Sequence, residues 1–507
     1  MRILFVFLYS GVPQFPIGIG SISSVLRQGG HETGLCPVEW SQSSETVADR
    51  VDAWQPELIG FTSMSSMFNR IREISLLLRR RFPGLFQVCG GIHPTVVPGC
   101  IEEAPFDAIC QGEGEYGLLE LADRLSRSED YRDVEGFWFR QGGETIENRV
   151  RPLIQDLDRL PIADHDIYQS CEIPGRIEGQ GEFMFCRGCP FDCTYCSNHA
   201  LRSIYPGQNY VRYPSVEKAV EELVWVKKRY RIRHVVIHDD VFTLNRKWFH
   251  DFCEEYRRRV DLPFFCCIRP GTCTGEMFRA LKDANCQRVS IGVESGNPFI
   301  REKILNRRIS DEEMVETFRL AREAGLETSS FIMLGLPHET RKALVDTVRL
   351  TARLGAQNKT QRYIFHPYPG TRLERLCREQ GWEPVGSPGS GERREAVLNL
   401  PSISRRDIQA YYDYFNTLVK VERLALAKGE KSIARLVARL FILPRLFFLI
   451  RAYYRAHKAR TYGLLGTLRR IRGRLLTTGR PAAVKPVRHG PERIRQDIPG
   501  CPIQRIR

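Results

Sequence analysis

No apolar run in this sequence approaches the ~18 residues needed to cross a bilayer, and nothing in it resembles a cleavable secretory signal. The opening Met1-Arg-Ile-Leu-Phe-Val-Phe-Leu is about as long as a buried parallel strand and leads directly into a Gly/Pro loop. The 16 cysteines follow no short secreted framework, so a reducing cytoplasm is the expected location. A second Cys-x2-Cys pair at the distance usual for zinc sites is missing. Residues 1 to 420 also lack net charge, with 54 Lys and Arg against 56 Asp and Glu, whereas residues 421 to 507 hold 21 against 4. No recognised RNA-binding module accompanies that basicity, which argues against a nucleic-acid partner. What remains is a chain of 507 residues with 42% hydrophobic content, enough for two or three domains with real cores.

The most specific feature present is the run Cys186-Arg-Gly-Cys-Pro-Phe-Asp-Cys-Thr-Tyr-Cys196. Cys189, Cys193 and Cys196 place three thiolates within eight residues. A [4Fe-4S] cluster normally takes four cysteines, so a loop supplying three leaves one iron open to a small molecule. The alternatives are a zinc site or reduced structural thiols. Cys186 reads as the end of a buried strand.

Two stretches alternate short apolar runs with helical patterns. In the first, strands are expected at Ile3 to Leu8, Leu58 to Phe61 and Gln87 to Cys89, with helices near Gly20 to Gln28 and Asn69 to Arg81. This predicts a doubly wound α/β domain with a parallel sheet, whose ligands sit beyond the carboxyl ends of the strands. The second stretch has strands at Glu182 to Phe185, His234 to His238, Phe264 to Arg269, Arg288 to Glu294, Thr328 to Gly335 and Arg362 to Phe365. Six strand-helix units imply a partial barrel with its active groups at the carboxyl ends. The expected divisions are 1 to 140, a linker at 141 to 180, the barrel at 181 to 380, a helical C-terminal region at 381 to 476 and a disordered basic tail at 477 to 507.

The cysteine run resembles the signature of the radical S-adenosylmethionine (SAM) enzymes, Cys-x3-Cys-x2-Cys with an aromatic residue before the last cysteine. That resemblance implies Cys189, Cys193 and Cys196 as ligands of a [4Fe-4S] cluster whose open iron chelates SAM, with Tyr195 as a wall of the adenine pocket. His238-Asp239-Asp240 stands where many members carry Gly-Gly-Glu, leaving Asp239 and Asp240 as substitutes near the SAM amino group. Glu294 and Ser295, in Gly292-Val-Glu-Ser-Gly, resemble the segment that contacts the SAM carboxylate or ribose. Arg269 ends the third strand, where it can pair with a carboxylate. His338, His366 and Tyr368 are candidates for the substrate pocket.

The glycine-marked loops of the first stretch resemble the cobalamin (B12)-binding domain that precedes a subset of radical SAM enzymes. The resemblance implies a cradle at Thr62, Ser63, Gly90, Gly91, His93, Gly112 and Glu113. The Asp-x-His-x-x-Gly element that supplies a cobalt ligand in many B12 proteins is absent, and neither His31 nor His93 has that context. A lower cobalt face bound by water or by nothing is therefore expected. The implied activity is SAM cleavage to a 5'-deoxyadenosyl radical, most commonly for methylation of an unactivated carbon. Ring closure or rearrangement on a lipid or tetrapyrrole is one alternative, and a non-catalytic cobalamin or redox sensor is another. A small-molecule substrate and an electron donor such as flavodoxin or ferredoxin are the implied partners. The Arg435 to Arg451 run, with arginines every four to six positions among Leu and Phe, fits either peripheral contact with the inner face of a membrane or packing against the barrel.

Overall fold

Alternation along β1 (Arg2–Tyr9) explains the first layer of the molecule. Leu4, Val6 and Leu8 enter one core with residues of the helices Glu45–Trp54 and Phe68–Arg81, while Ile3 and Phe5 enter a second with residues of Ile17–Gln28 and Glu115–Ser126. A strand apolar on both faces must be covered on both faces, which parallel strands achieve through their crossover helices. The computed structural model of the protein describes residues 1–11, 13–355, 357–385, 393–429 and 432–458. In it β2 (Glu32–Glu39), β1, β3 (Leu58–Thr62), β4 (Phe86–Gly90) and β5 (Ala108–Cys110) lie side by side in that order, all parallel. An antiparallel hairpin of β6 (Phe137–Gln141) and β7 (Glu144–Glu147) extends the sheet to seven strands.

The second sheet contains β8 (Gln180–Phe183), β9 (His234–Ile237), β10 (Phe264–Ile268), β11 (Cys286–Glu294), β12 (Glu327–Leu334) and β13 (Lys359–Ile364). They are parallel and neighbour one another in sequence order, the arrangement of a partial (β/α)6 barrel. Five of its helices start on a side-chain cap. Ser215, Asn245, Thr274, Ser310 and Thr340 each accept the N–H three residues on. Each cap stabilises its helix by about 1 kcal/mol.

The open edge of β13 is covered by the helix Arg405–Lys428. Arg362 Nε donates to the Tyr412 carbonyl at 2.5 Å, and the Ile364 N–H donates to the Arg393 carbonyl at 2.8 Å.

Some boundaries differ from the sequence expectation. β2 holds Pro37 and charged residues, and so lacks a strand's usual apolar pattern; its edge position tolerates a residue without an N–H. β7 belongs to the first sheet although it falls in the expected linker. That linker is pinned where Asp164 Oδ2 accepts from Ser23 Oγ at 2.6 Å and from Arg27 at 3.1 Å. The division nearest the C-terminus separates Met1–Ile450 from a second unit, of which residues 451–458 are helical. The expected disordered tail, 477 to 507, lies outside the described residues.

Candidate active site

Residues 184–197 leave β8 without regular structure, and each end of this loop is held by a different partner. At its start the backbones of Arg187 and Arg212 exchange two hydrogen bonds of 2.9 Å. Gly188 (φ +91°) passes so close to Tyr210 that a Cβ would lie 2.3 Å from the Tyr210 carbonyl, so only glycine fits. Further along, Arg202 donates to the carbonyls of Cys189 and Pro190 and pairs with Asp192. The Thr194 N–H donates to the Leu305 carbonyl at 3.3 Å and its hydroxyl to the Ile304 carbonyl, while Asn306 Nδ2 donates to the Asp192 carbonyl at 3.0 Å.

The sulfur surroundings suit thiolate ligands. Arg269 Nη1 lies 3.5 Å and Arg307 Nη1 3.8 Å from Cys193 Sγ, and Asn198 Nδ2 lies 3.6 Å from Cys196 Sγ. Donors aimed at sulfur stabilise the anionic form that iron requires. Burial pushes the Cys189 thiol up to about 11 and raises that of Cys196, so proton release must accompany metal binding. Among the described residues no three His, Cys, Asp or Glu side chains converge on a point where one metal ion would sit.

At the carboxyl end of β11 the register shifts between Gly292 and Glu294, and Glu294 takes φ +65°. A bulge with a left-handed residue re-aims a side chain. Here the Glu294 carboxylate lies beside the Tyr195 hydroxyl, which accepts from Arg307 Nη1 at 3.2 Å. Burial raises the Glu294 carboxyl against the opposing pull of Arg307. Tyr195, Glu294 and Arg307 therefore form one polar group beside Cys193. Arg307 is not singled out by any local sequence pattern; it reaches the site from the turn after Ile300–Ile304, and its Nη2 donates to the Gly292 carbonyl at 2.6 Å.

The other expected SAM residues divide. Asp240 lines the cavity and accepts from Asn198 Nδ2 at 3.0 Å, and burial raises its carboxyl. Asp239 is fully buried; its Oδ1 accepts the Phe185 N–H at 2.7 Å, and burial pushes its carboxyl up to about 7. It braces the backbone after β8. Ser295 is likewise fully buried, with its hydroxyl accepting the Asn297 N–H and its carbonyl accepting from Arg301. Arg269 meets sulfur and stands over the Phe191 ring at 4.1 Å. His338 packs on Trp382 at 5.2 Å, and His366 stacks on Tyr368 at 5.4 Å.

A cavity of about 540 Å³ joins the two sheets at their carboxyl ends. Thr62, Gly90, Gly91, Gly112 and Glu113 line it from the first sheet, while Cys196, Asn198 and Asp240 line it from the barrel. Gly112 (φ +82°) again admits no side chain, since a Cβ would lie 1.8 Å from the Tyr205 hydroxyl. Tyr205 itself is buried, lines the cavity and leaves its hydroxyl without a partner. The glycine-backed wall and the unsatisfied hydroxyl fit a large polar cofactor. Two expected cradle residues are not in this lining. Ser63 is buried with its hydroxyl donating to the Met64 carbonyl, and His93 packs on Phe68 at 4.3 Å while bonding Ser65 Oγ at 3.0 Å. Burial lowers the His93 imidazole to about 4. His31 lies elsewhere, bonded to Asp123 at 3.0 Å.

Comparison with known proteins agrees with this geometry. Residues 3–122 match the B12 binding domain, and residues 183–351 match the radical SAM superfamily. An uncharacterized methyltransferase of Pyrococcus horikoshii is 28% identical over 361 residues, covering 71% of this chain and 77% of that protein. The anaerobic magnesium-protoporphyrin IX monomethyl ester cyclase of Cereibacter sphaeroides is 27% identical over 67% of this chain, but the match spans only 56% of the cyclase. The radical SAM methyltransferase TsrM of Kitasatospora setae, solved with cobalamin and a [4Fe-4S] cluster, has a TM-score of 0.61 at 17% identity, covering 76% of each chain, and so shares the fold. With both domains matched in this order, the chain is a radical SAM enzyme that carries a B12 binding domain ahead of its radical SAM domain, and these two domains imply a [4Fe-4S] cluster, SAM and cobalamin as cofactors.

Proposed function

We propose that this enzyme methylates an unactivated carbon of a small molecule. The observation that carries the reading is the single cavity bounded both by the glycine loops of the first sheet and by the cysteine loop of the barrel. When bound, the cluster and SAM supply a hydrogen-abstracting carbon radical, and cobalamin supplies a transferable methyl group. The protein's own part is placement. Cys189, Cys193 and Cys196 hold the cluster; Tyr195, Glu294, Asp240 and Arg307 orient SAM; Thr62, Gly90, Gly91, Gly112 and Glu113 cradle cobalamin. The apolar lining contributed by Ile17, Ile22 and Leu118 excludes water from the space between the cofactors. An external one-electron donor of the flavodoxin or ferredoxin type completes the system.

The names of the relatives favour methyl transfer, and the cyclase among them supports a tetrapyrrole as one substrate class. A substrate taken from a lipid surface has separate support: Ile433, Leu436, Phe448 and Leu449 are 46–69% exposed. They lie among Arg439 and Arg445, a composition suited to an anionic membrane face. No helix of the described residues is long and apolar enough to cross a membrane, so such contact would be peripheral.

The test is anaerobic reconstitution with iron, sulfide and cobalamin, followed by reductant, methyl-labelled SAM and a cell extract. Release of 5'-deoxyadenosine together with a labelled product is expected. An intact cluster and bound cobalamin without any SAM cleavage would instead favour the sensor.

A further inference from the structure

Arg187 of the cysteine loop meets the first domain in a circuit of four charged side chains. Arg187 leaves the loop two residues before Cys189 and crosses to the turn between β5 and the helix Glu115–Ser126. Its Nη1 donates to Glu113 Oε1 at 2.8 Å and its Nη2 to Glu115 Oε1 at 2.6 Å, with Ser21 Oγ at 3.2 Å from the same nitrogen. The second oxygen of Glu113 accepts from Arg212 Nη1 at 2.9 Å and from the Ile154 N–H at 2.8 Å. Arg212 is the residue whose backbone pairs with that of Arg187, so the circuit closes on itself. All four charges line the cavity, two from each domain. Burial alone would raise the Glu113 carboxyl, but the two guanidinia overcome it and hold the group below its ordinary value.

We propose that Arg187 is a positioning residue that couples the two cofactor sites, so that filling the cobalamin side changes the affinity of the cluster side for SAM. The inference rests on the proposed occupants of the cavity and adds the connection between them. The turn carrying Glu113 has little freedom of its own. Gly112 is pressed against Tyr205 on one side and donates its N–H to Thr95 Oγ1 at 3.0 Å on the other. A ligand that shifts this turn must move Arg187 or break its fork of charge-assisted bonds, which are short-ranged and directional. Arg187 in turn is continuous with the backbone that presents Cys189. Two sites joined through one buried pair show reciprocal coupling: each ligand changes the affinity of the other by the same factor.

The experiment titrates SAM into the anaerobic, cluster-loaded full chain with and without saturating hydroxocobalamin, using calorimetry, and then repeats the titration in the reverse order. Wild-type protein should show a coupling factor of about fivefold or more, equal in both directions. Arg187→Gln should still bind each ligand alone but show a factor near one. Glu113→Gln in the Arg187→Gln background should reduce the factor no further, as expected of partners in one pair. Glu115→Gln, which leaves the Arg187 to Glu113 bond in place, gives an intermediate factor and serves if Arg187→Gln does not fold. An unchanged factor in Arg187→Gln, or in Glu115→Gln where it replaces that variant, overturns the coupling while leaving the functional reading intact. Wild-type protein that binds neither hydroxocobalamin nor SAM overturns both.

Discussion

The two sheets end in opposite kinds of chemistry. The first offers the cavity a wall rich in glycine, Gly90, Gly91 and Gly112, beside the Thr62 hydroxyl, with Glu113 and Glu115 as its charged residues. The barrel offers Cys196 and Asp240, with Asn198 bonded to Asp240, and outside that lining it sets Cys193 beside Arg269 and Arg307 and Glu294 beside Tyr195. A bulky, preformed cofactor needs room and backbone contacts, which glycine supplies. A cluster and a sulfonium need fixed ligands and fixed charge, which the barrel ends supply. Two different sheets of parallel strands and crossover helices therefore serve two unlike guests through the loops at the carboxyl ends of their strands.

The contrast is most sharply broken at the cysteines. Cys189→Ala, Cys193→Ala or Cys196→Ala should abolish cluster uptake and SAM cleavage, measured as iron, sulfide and 5'-deoxyadenosine, yet leave hydroxocobalamin binding in place. Next comes the bridge between the two walls. Glu113→Ala leaves two arginines without their shared partner and should cost about 3–5 kcal/mol in urea unfolding, as for other broken buried pairs. Because the folded Glu113 carboxyl lies below its ordinary value, its contribution is present above the unfolded pKa and is lost as pH falls through the folded one. Stability of wild type and Glu113→Gln should therefore converge on acidification. Gly112→Ala should cost about 1–3 kcal/mol for a strained left-handed position, and should weaken hydroxocobalamin binding with no loss of iron. The smallest effect is expected outside both walls. Ile433→Ser with Leu436→Ser should reduce sedimentation with anionic phosphatidylglycerol vesicles while changing stability by no more than about 0.5 kcal/mol per site.

Much of this contrast is legible in the sequence because it is local. Three cysteines within eight residues, a glycine pair after β4 and six apolar runs at regular spacing need no knowledge of distant contacts. β2 escapes such a reading, since Pro37 and its glutamates break the apolar pattern, and it becomes a strand only because β1 offers an edge. The hairpin of β6 and β7 escapes notice because its apolar run is only Phe137-Trp138-Phe139 and β7 buries no residue. In the site, Asp239 and Ser295 occupy the expected positions along their strands, but their side chains turn into backbone hydrogen bonds. Arg307 and the Arg187 circuit lie the other way. Arg307 meets Cys193, 114 residues away, and Arg187 meets Glu113 and Glu115, 74 and 72 residues away, and no short pattern encodes such a pairing.

The helix Arg405–Lys428 has a consequence beyond its place in the barrel. Without it, β13 would lie uncovered on the side away from β12, with the Arg393 carbonyl still accepting the Ile364 N–H, and would be open to edge-to-edge aggregation. A shortened form ending before Ser404 is therefore expected to precipitate or self-associate even though every cysteine and glycine of the site is retained. The C-terminal helix acts as a guard on solubility.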